Sequence, residues 1–143
     1  MYQVDAGNKS IKASFSARLE NIDRLMKKLR LVLRGANLEG SSFACELVAR
    51  ETLNNAVRHG CGSDSSKTVK CSFQIRKGSI VMRVSDEGEG FNWRDYIIRE
   101  ARSLDTSGWG LTILRTYASE VSFNEKGNEV MLKIPVKRAY AVG

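Results

Sequence analysis

One segment places a carboxylate and an amide one helical turn apart. Glu51 and Asn55 are four residues apart within a stretch whose apolar residues predict a helix, so both side chains share one face. A carboxylate can act as a general base, and an amide oxygen is a ligand that Mg²⁺ accepts. The same pair also occurs on solvated faces of surface helices, and the pair alone leaves both interpretations open.

A second candidate segment runs from Asp86 to Gly90 and contains the pattern D-x-G-x-G. It follows an apolar strand, and Gly88 and Gly90 allow a ligand to approach the backbone closely or permit a positive φ. A carboxylate at the end of a strand can accept a hydrogen bond from an exocyclic amine. A plain acidic turn would show the same pattern.

A third segment, Gly108-Trp109-Gly110-Leu111, precedes an apolar helix. Free N–H groups and the positive dipole end at a helix N-terminus form a site for an anion such as phosphate. The alternative is a tight packing turn. The three segments occur in the order carboxylate–amide pair, acidic glycine loop and glycine turn.

Other well-known sites are absent from the sequence. Gly35 and Gly40 have the glycine spacing of a phosphate-binding loop, but Ser41 stands where that loop needs lysine. His59 is the single histidine, and the three cysteines have no C-x-x-C spacing, so no usual zinc set can be built. We expect the cysteines to be reduced thiols.

Periodicity predicts the elements that position these segments. Alternating apolar residues predict strands, and repeats of three and four predict helices. The predicted strands are 11–15, 69–75, 80–84, 121–123 and 130–136; the predicted helices are 19–33, which Gly35 would end, about 42–58, 111–118 and a short one at 94–102. Residues 1–8 and 139–143 are predicted to be loose termini.

This order predicts an α+β fold with a mixed, mostly antiparallel sheet and helices on one face. The 143 residues, 42% of them hydrophobic, fit one domain spanning 1–143. No apolar run could cross a membrane and no secretory signal is visible, so a cytoplasmic protein is expected. The net charge of +7 is compatible with nucleic acid, an acidic protein or a polyphosphate ligand.

The three segments together resemble the Bergerat (GHKL) ATP-binding fold, a two-layer α/β sandwich found in histidine kinases, gyrase-type ATPases and anti-sigma-factor serine kinases. The pattern E-x-x-x-N-A-x-x-H-G from Glu51 to Gly60 and the short lid from Phe91 to Ser107 are similar to the serine-kinase (RsbW-type) branch. The resemblance extends from about Ser10 to Val136.

The resemblance implies Mg-ATP as cofactor, with Asn55 as the magnesium ligand and Glu51 as the general base. Asp86 would accept a hydrogen bond from the adenine amino group. Arg58 would contact a phosphate, although a solvated charge at a helix end is equally compatible. The remaining nucleotide-binding positions would be Gly88 and Gly90 near the base and ribose, and Gly108, Trp109, Gly110 and Leu111 at the phosphates.

The implied function is an ATP-dependent serine/threonine protein kinase that acts as an anti-sigma factor. It would phosphorylate a STAS-domain anti-sigma-antagonist, bind a sigma factor and form a homodimer, without membrane or direct nucleic-acid contacts. Three alternatives remain: a nucleotide-dependent protein-binding module without phosphotransfer, the ATP-binding half of a split histidine kinase, and a basic nucleic-acid binder.

Two features of the sequence bear on these roles. Asn128 and Glu129 follow Gly127 in the last hairpin, where many members of the family have Gly-Thr and the threonine assists the adenine-binding Asp. The lid carries Arg94, Arg99 and Arg102, which would either close over the phosphates or form a solvated face.

Overall fold

The computed structural model describes residues 1–88 and 109–136. Gly90, Gly108, the lid and its predicted helix at 94–102 lie outside the described residues, as does the segment 137–143. No helix in the two described ranges is long and apolar enough to span a bilayer.

The described residues build one six-stranded sheet. Its order is β1-β2-β3-β4-β6-β5, and every neighbouring pair is antiparallel. The strands are β1 (Tyr2–Ala6), β2 (Ser10–Ser16), β3 (Thr68–Arg76), β4 (Ser79–Asp86), β5 (Glu120–Phe123) and β6 (Glu129–Pro135). The predicted α+β class with an antiparallel sheet is confirmed.

Helices pack on one face of this sheet. They are α1 (Leu19–Gly35), α2 (Ser42–Asn55) and α3 (Trp109–Tyr117), with a 3₁₀ turn at Glu39–Ser41 and a π-helical turn at Ala56–Gly60. The apolar stripe of α1, including Leu25 and Met26, is fully buried against inward-facing strand residues such as Phe15 and Met82. Burial of this stripe stabilises the two-layer arrangement.

The prediction of a loose amino terminus is wrong for residues 2–6, which form the edge strand β1. Tyr2 and Val4 alternate with polar residues and lie partly buried against the core. The guanidinium of Arg24 on α1 lies 4.0 Å from the centre of the Tyr2 ring, a cation–π contact. The alternation is short and is followed directly by Gly7 and Asn8, which are typical of turns, so it was not recognised as a strand in the sequence.

The end of α1 also differs from the prediction. Gly35 is still helical, and the residue with positive φ is Asn37 (φ 60°). The amide of Leu38 donates to the carbonyl of Leu33 over 2.8 Å, and that of Asn37 donates to Arg34 over 3.1 Å. This pair of bonds is the Schellman motif, with asparagine in place of the usual glycine.

Two ion pairs connect α1 to α2. Arg30 makes a two-pronged contact with Glu46, in which Nη2 lies 3.2 Å from Oε2, and Arg50 donates to Asp23 over 2.7 Å. Both pairs are partly exposed, so screening by solvent keeps the contribution of each to stability small. Their main effect is to restrict how α2, which carries the candidate carboxylate and amide, lies on α1.

The three cysteines are free and buried. Burial raises the pKa of the Cys45 thiol to about 12 and raises that of Cys71 as well, because a thiolate is poorly solvated there. The prediction that they are free thiols is confirmed, and Cys45 and Cys71 act as core residues.

Candidate functional site

The predicted carboxylate–amide pair forms on the last turn of α2. The side-chain amide nitrogen of Asn55 donates to Oε1 of Glu51 over 3.3 Å. Asn55 is only 6% exposed, which excludes the solvated-face interpretation for this residue. Its carbonyl oxygen accepts no hydrogen bond from the residues in the two described ranges. A buried acceptor without a donor is costly, and such an oxygen is suited to a cation.

The backbone changes from α- to π-helical directly after Asn55. The π turn covers Ala56–Gly60, where one extra residue per turn rotates the chain relative to an α-helix. Arg58 and His59 are exposed on this turn, whereas Gly60 is buried. The π turn lies against β4, so that Gly60 reaches the end of the strand that carries Asp86.

Gly60, Asp86 and Gly88 pack together more closely than any side chain would allow. A Cβ atom on Gly60 would lie 2.5 Å from Cγ of Asp86, and a Cβ on Gly88 would overlap the carbonyl oxygen of Gly60. Neither glycine has a positive φ. Close approach, rather than backbone conformation, therefore requires glycine at both positions.

The two oxygens of the Asp86 carboxylate differ in their hydrogen bonds. Its Oδ1 accepts the backbone N–H of Gly88 over 2.8 Å, and within the described parts of the chain Oδ2 accepts none. Burial raises the pKa of Asp86, while the Gly88 N–H and the charges of Lys67 and Lys126 oppose that rise. A half-buried carboxylate with one open oxygen can accept a hydrogen bond from a ligand.

Asn55 and Asp86 reach the same cavity from α2 and β4. It has a volume of about 10 Å³, and Thr52 and Asn128 also line it. The third candidate element, α3, packs against α2. Elements far apart in sequence therefore bring the first two predicted segments together.

The third segment differs from its prediction in one respect. Trp109 and Gly110 already belong to α3, whereas the sequence predicted a glycine turn before a helix beginning at Leu111. Gly90 and Gly108 lie outside the described residues. The backbone of Trp109, Gly110 and Leu111 thus forms the first described turn of α3.

The last hairpin holds Asp86 through its main chain. The backbone N–H of Asp86 donates to the carbonyl of Asn128 over 3.0 Å. The side chain of Asn124 accepts the backbone N–H groups of Gly127, Asn128 and Glu129 over 2.9 to 3.1 Å. Because this contact is made by the backbone of Asn128, it does not depend on the side chain at that position.

Sequence reasoning missed two residues of this site. The helix predicted at about 42–58 stops before Gly60, and no role in the site was predicted for this glycine, although Asp86 packs on it. Thr52 is 1% exposed, lines the cavity and donates to the carbonyl of Val48 over 2.8 Å. The place of Gly60 at the end of the E-x-x-x-N-A-x-x-H-G pattern could have indicated its role. No pattern in the sequence indicates that Thr52 lines the cavity.

Comparison with known proteins decides the family. Residues 15–134 match the model of the histidine kinase-like ATPase domain. The chain belongs to this family. A solved histidine kinase domain, from the blue-light-activated kinase of Erythrobacter litoralis EL346, superimposes with a TM-score of 0.52 at 16% identity. That match covers 85% of this chain and 61% of that chain, and it supports the fold alone.

Two proteins with sequences similar to this chain carry a more specific name. The anti-sigma F factor of Geobacillus stearothermophilus is 33% identical over 129 residues, which cover 83% of this chain and 87% of that protein. The anti-sigma F factor of Geobacillus kaustophilus (strain HTA426) is 31% identical over 102 residues, covering 66% and 70%.

The packing of Gly60 on Asp86 predicts a position-specific cost of adding one methyl group. Gly60→Ala should lower the free energy of unfolding by about 1–3 kcal/mol, because the new Cβ must displace the carboxylate. Gly35→Ala is the matched control, since a Cβ there meets nothing within 4 Å. Urea unfolding of both variants measures the effect; equal stability of the two would contradict the described packing.

Proposed function

We propose that this protein is an ATP-dependent serine/threonine protein kinase that acts as an anti-sigma factor. The observation that carries the proposal is the buried Asn55. Its amide nitrogen donates to Glu51, its carbonyl oxygen accepts no hydrogen bond from the described residues, and it shares a cavity with Asp86. Family membership supports ATP as the nucleotide. The named relatives support the anti-sigma role.

Asp86 recognises the adenine amino group in this proposal. Its Oδ2, which accepts no hydrogen bond from the described residues, would accept an N–H, while the Gly88 N–H holds Oδ1. Guanine carries a carbonyl at the corresponding position, so a carboxylate there disfavours GTP. A purine is much larger than the present cavity of about 10 Å³, and binding therefore requires the cavity to widen.

Asn55 is the protein ligand for Mg²⁺ in this proposal. Among the described residues no group of three or more His, Cys, Asp or Glu side chains could hold a metal. Mg²⁺ commonly takes only one or two protein ligands and completes its shell with phosphates and water. The open amide oxygen of Asn55 fits that role, and the ion would neutralise charge on the phosphates.

Glu51 is the proposed general base. Its carboxylate accepts the Asn55 amide, which orients it beside the proposed magnesium ligand. It would take the proton from the attacking serine or threonine hydroxyl of the substrate. The backbone of the first turn of α3, including Trp109, Gly110 and Leu111, and the exposed Arg58 would contact the phosphates.

The proposed partners follow from the relatives. Proteins named anti-sigma F factor align over as much as 83% of this chain. We therefore propose a sigma factor as the bound target and a STAS-domain antagonist as the phosphorylated substrate, in a cytoplasmic homodimer. Phosphorylation of the antagonist would change which partner the protein holds.

Removal of the base should separate phosphotransfer from nucleotide binding. Glu51→Gln preserves size and hydrogen bonding to Asn55, but a neutral amide cannot take up the proton. We expect phosphorylation of a STAS-domain protein by labelled Mg-ATP to fall by about 10²- to 10⁴-fold, with Mg-ATP affinity retained. Glu20→Gln, an equal charge change in the first turn of α1, should leave the rate unchanged.

The chemistry of the product distinguishes the alternatives. Acid-stable label on the STAS-domain protein supports the kinase, whereas acid-labile label indicates a histidine kinase. If Glu51→Gln transferred phosphate at the wild-type rate, Glu51 would not be the general base. Binding of Mg-ATP without any transfer would favour the protein-binding module.

The raised pKa of Asp86 predicts how ATP binding depends on pH. Only the ionised carboxylate can accept from both Gly88 and the adenine amine, so affinity should fall as pH falls through the raised pKa. The loss should begin at a higher pH than the ordinary value of 3.8 would give. Asp86→Asn, which cannot titrate, should abolish this dependence in calorimetric titrations; an unchanged pH profile would contradict the assignment.

A further inference from the structure

The sheet face opposite the helices carries an ordered set of cations and hydroxyls. Three neighbouring strands each present a basic residue and a serine separated by one buried residue, and these intervening residues are Ala13, Cys71 and Val84. Side chains alternate between sheet faces, so the basic residues and serines share the outer face. We call this set the cation–serine grid; it comprises Lys12, Ser14, Lys70, Ser72, Arg83 and Ser85.

The strand register places each cation beside a serine of the next strand. Ser72 lies between Lys12 and Arg83, and Lys70 lies between Ser14 and Ser85. Strands are about 4.8 Å apart, which puts the backbones of Lys12 and Arg83 about 10 Å apart. The three positive charges therefore surround a small patch of hydroxyl donors.

None of the three cations forms an ion pair with a side chain in the described ranges. The two ion pairs between side chains in the described ranges join α1 to α2 and involve none of the three cations. All three cations are exposed. A hollow of about 540 Å³ lies over the grid, and the grid residues line it together with Asp5 and Glu129.

We propose that the cation–serine grid is a docking surface for an acidic segment of another protein. The segment would carry carboxylates clustered within about 10 Å, as on one face of an acidic helix with Asp or Glu at positions three and four apart. The serine hydroxyls and the cations would donate to these carboxylates. Complementary charge of this kind increases the rate and specificity of association.

Other occupants fit the surface less well. A second copy of this chain would bring like-charged grids together. Small-molecule sites are usually enclosed, whereas this hollow is open and is lined by three cations. A long nucleic acid would extend beyond the grid over Asp5, opposite Lys12 in the next strand, and over Glu129, opposite Ser85. A segment whose carboxylates are clustered within about 10 Å can contact the three cations without lying over these two carboxylates.

This surface lies on the sheet face opposite α2 and the cavity shared by Asn55 and Asp86. Docking there leaves the nucleotide site accessible, and the proposal does not depend on phosphotransfer. It goes beyond the proposed function by giving the protein a separate contact surface for a partner of defined charge.

The test uses fluorescein-labelled decaglutamate as the acidic probe, measured by fluorescence anisotropy at low ionic strength. We expect the wild type to bind and the triple variant Lys12→Gln/Lys70→Gln/Arg83→Gln to bind about tenfold or more weakly, equivalent to about 1.4 kcal/mol. The matched control is Lys27→Gln/Lys28→Gln/Arg34→Gln on α1, which removes the same charge from the opposite layer.

Three results would overturn the proposal. Equal weakening in both triple variants would mean that net charge alone attracts the probe. If the wild type does not bind the probe, the grid is not a docking surface for acidic segments. Loss of a wild-type dimer only in the grid variant, by sedimentation, would assign the face to self-association. Mg-ATP affinity of the grid variant should be unchanged, so failure of the docking surface and failure of the nucleotide site give separate results.

Discussion

The close packing of Gly60 on Asp86 is the constraint on which the candidate site depends. It joins the turn after α2 to the end of β4, two segments separated by more than twenty residues of sequence. The N–H of Gly88 then fixes one oxygen of Asp86 and leaves the other open. This contact adds to the packing of α2 on the sheet, which places the carboxylate near the Asn55 amide.

Helix α2 carries the other two candidate side chains of the site. Its buried side packs on the core, its ion pairs connect it to α1, and its last turn carries Glu51 and Asn55. The change to a π turn then directs Gly60 toward β4. The helix-covered side of the sheet therefore holds the candidate nucleotide site, while the other side carries the cation–serine grid.

Local patterns in the sequence predicted much of this arrangement. Alternation located five of the strands, and the i, i+4 spacing placed Glu51 and Asn55 on one helical face. Both signals work because burial on one face imposes a period on the sequence. The resemblance to the ATP-binding fold then connected segments that no local pattern could connect.

The remaining features depend on tertiary contacts, which a local pattern cannot show. Strand β1 is short and polar, and it is stabilised by pairing with β2. Asn37 ends α1 because its amide and that of Leu38 find acceptors on the last turn. Glycine is required at position 60 because Asp86 packs against it. The π turn that contains Gly60 does not itself require glycine there, so the requirement is not evident from the local sequence.

The measurement that tests the central claim most directly is calorimetric titration with Mg-ATP and Mg-GTP. It would use the wild type, Asp86→Ala, Asn55→Ala and, as a control, the neighbouring Asn54→Ala. The account predicts preference for ATP over GTP, loss of binding in Asp86→Ala and Asn55→Ala, and wild-type affinity in Asn54→Ala. Equal affinity for both nucleotides, or undiminished binding in Asp86→Ala, would contradict it.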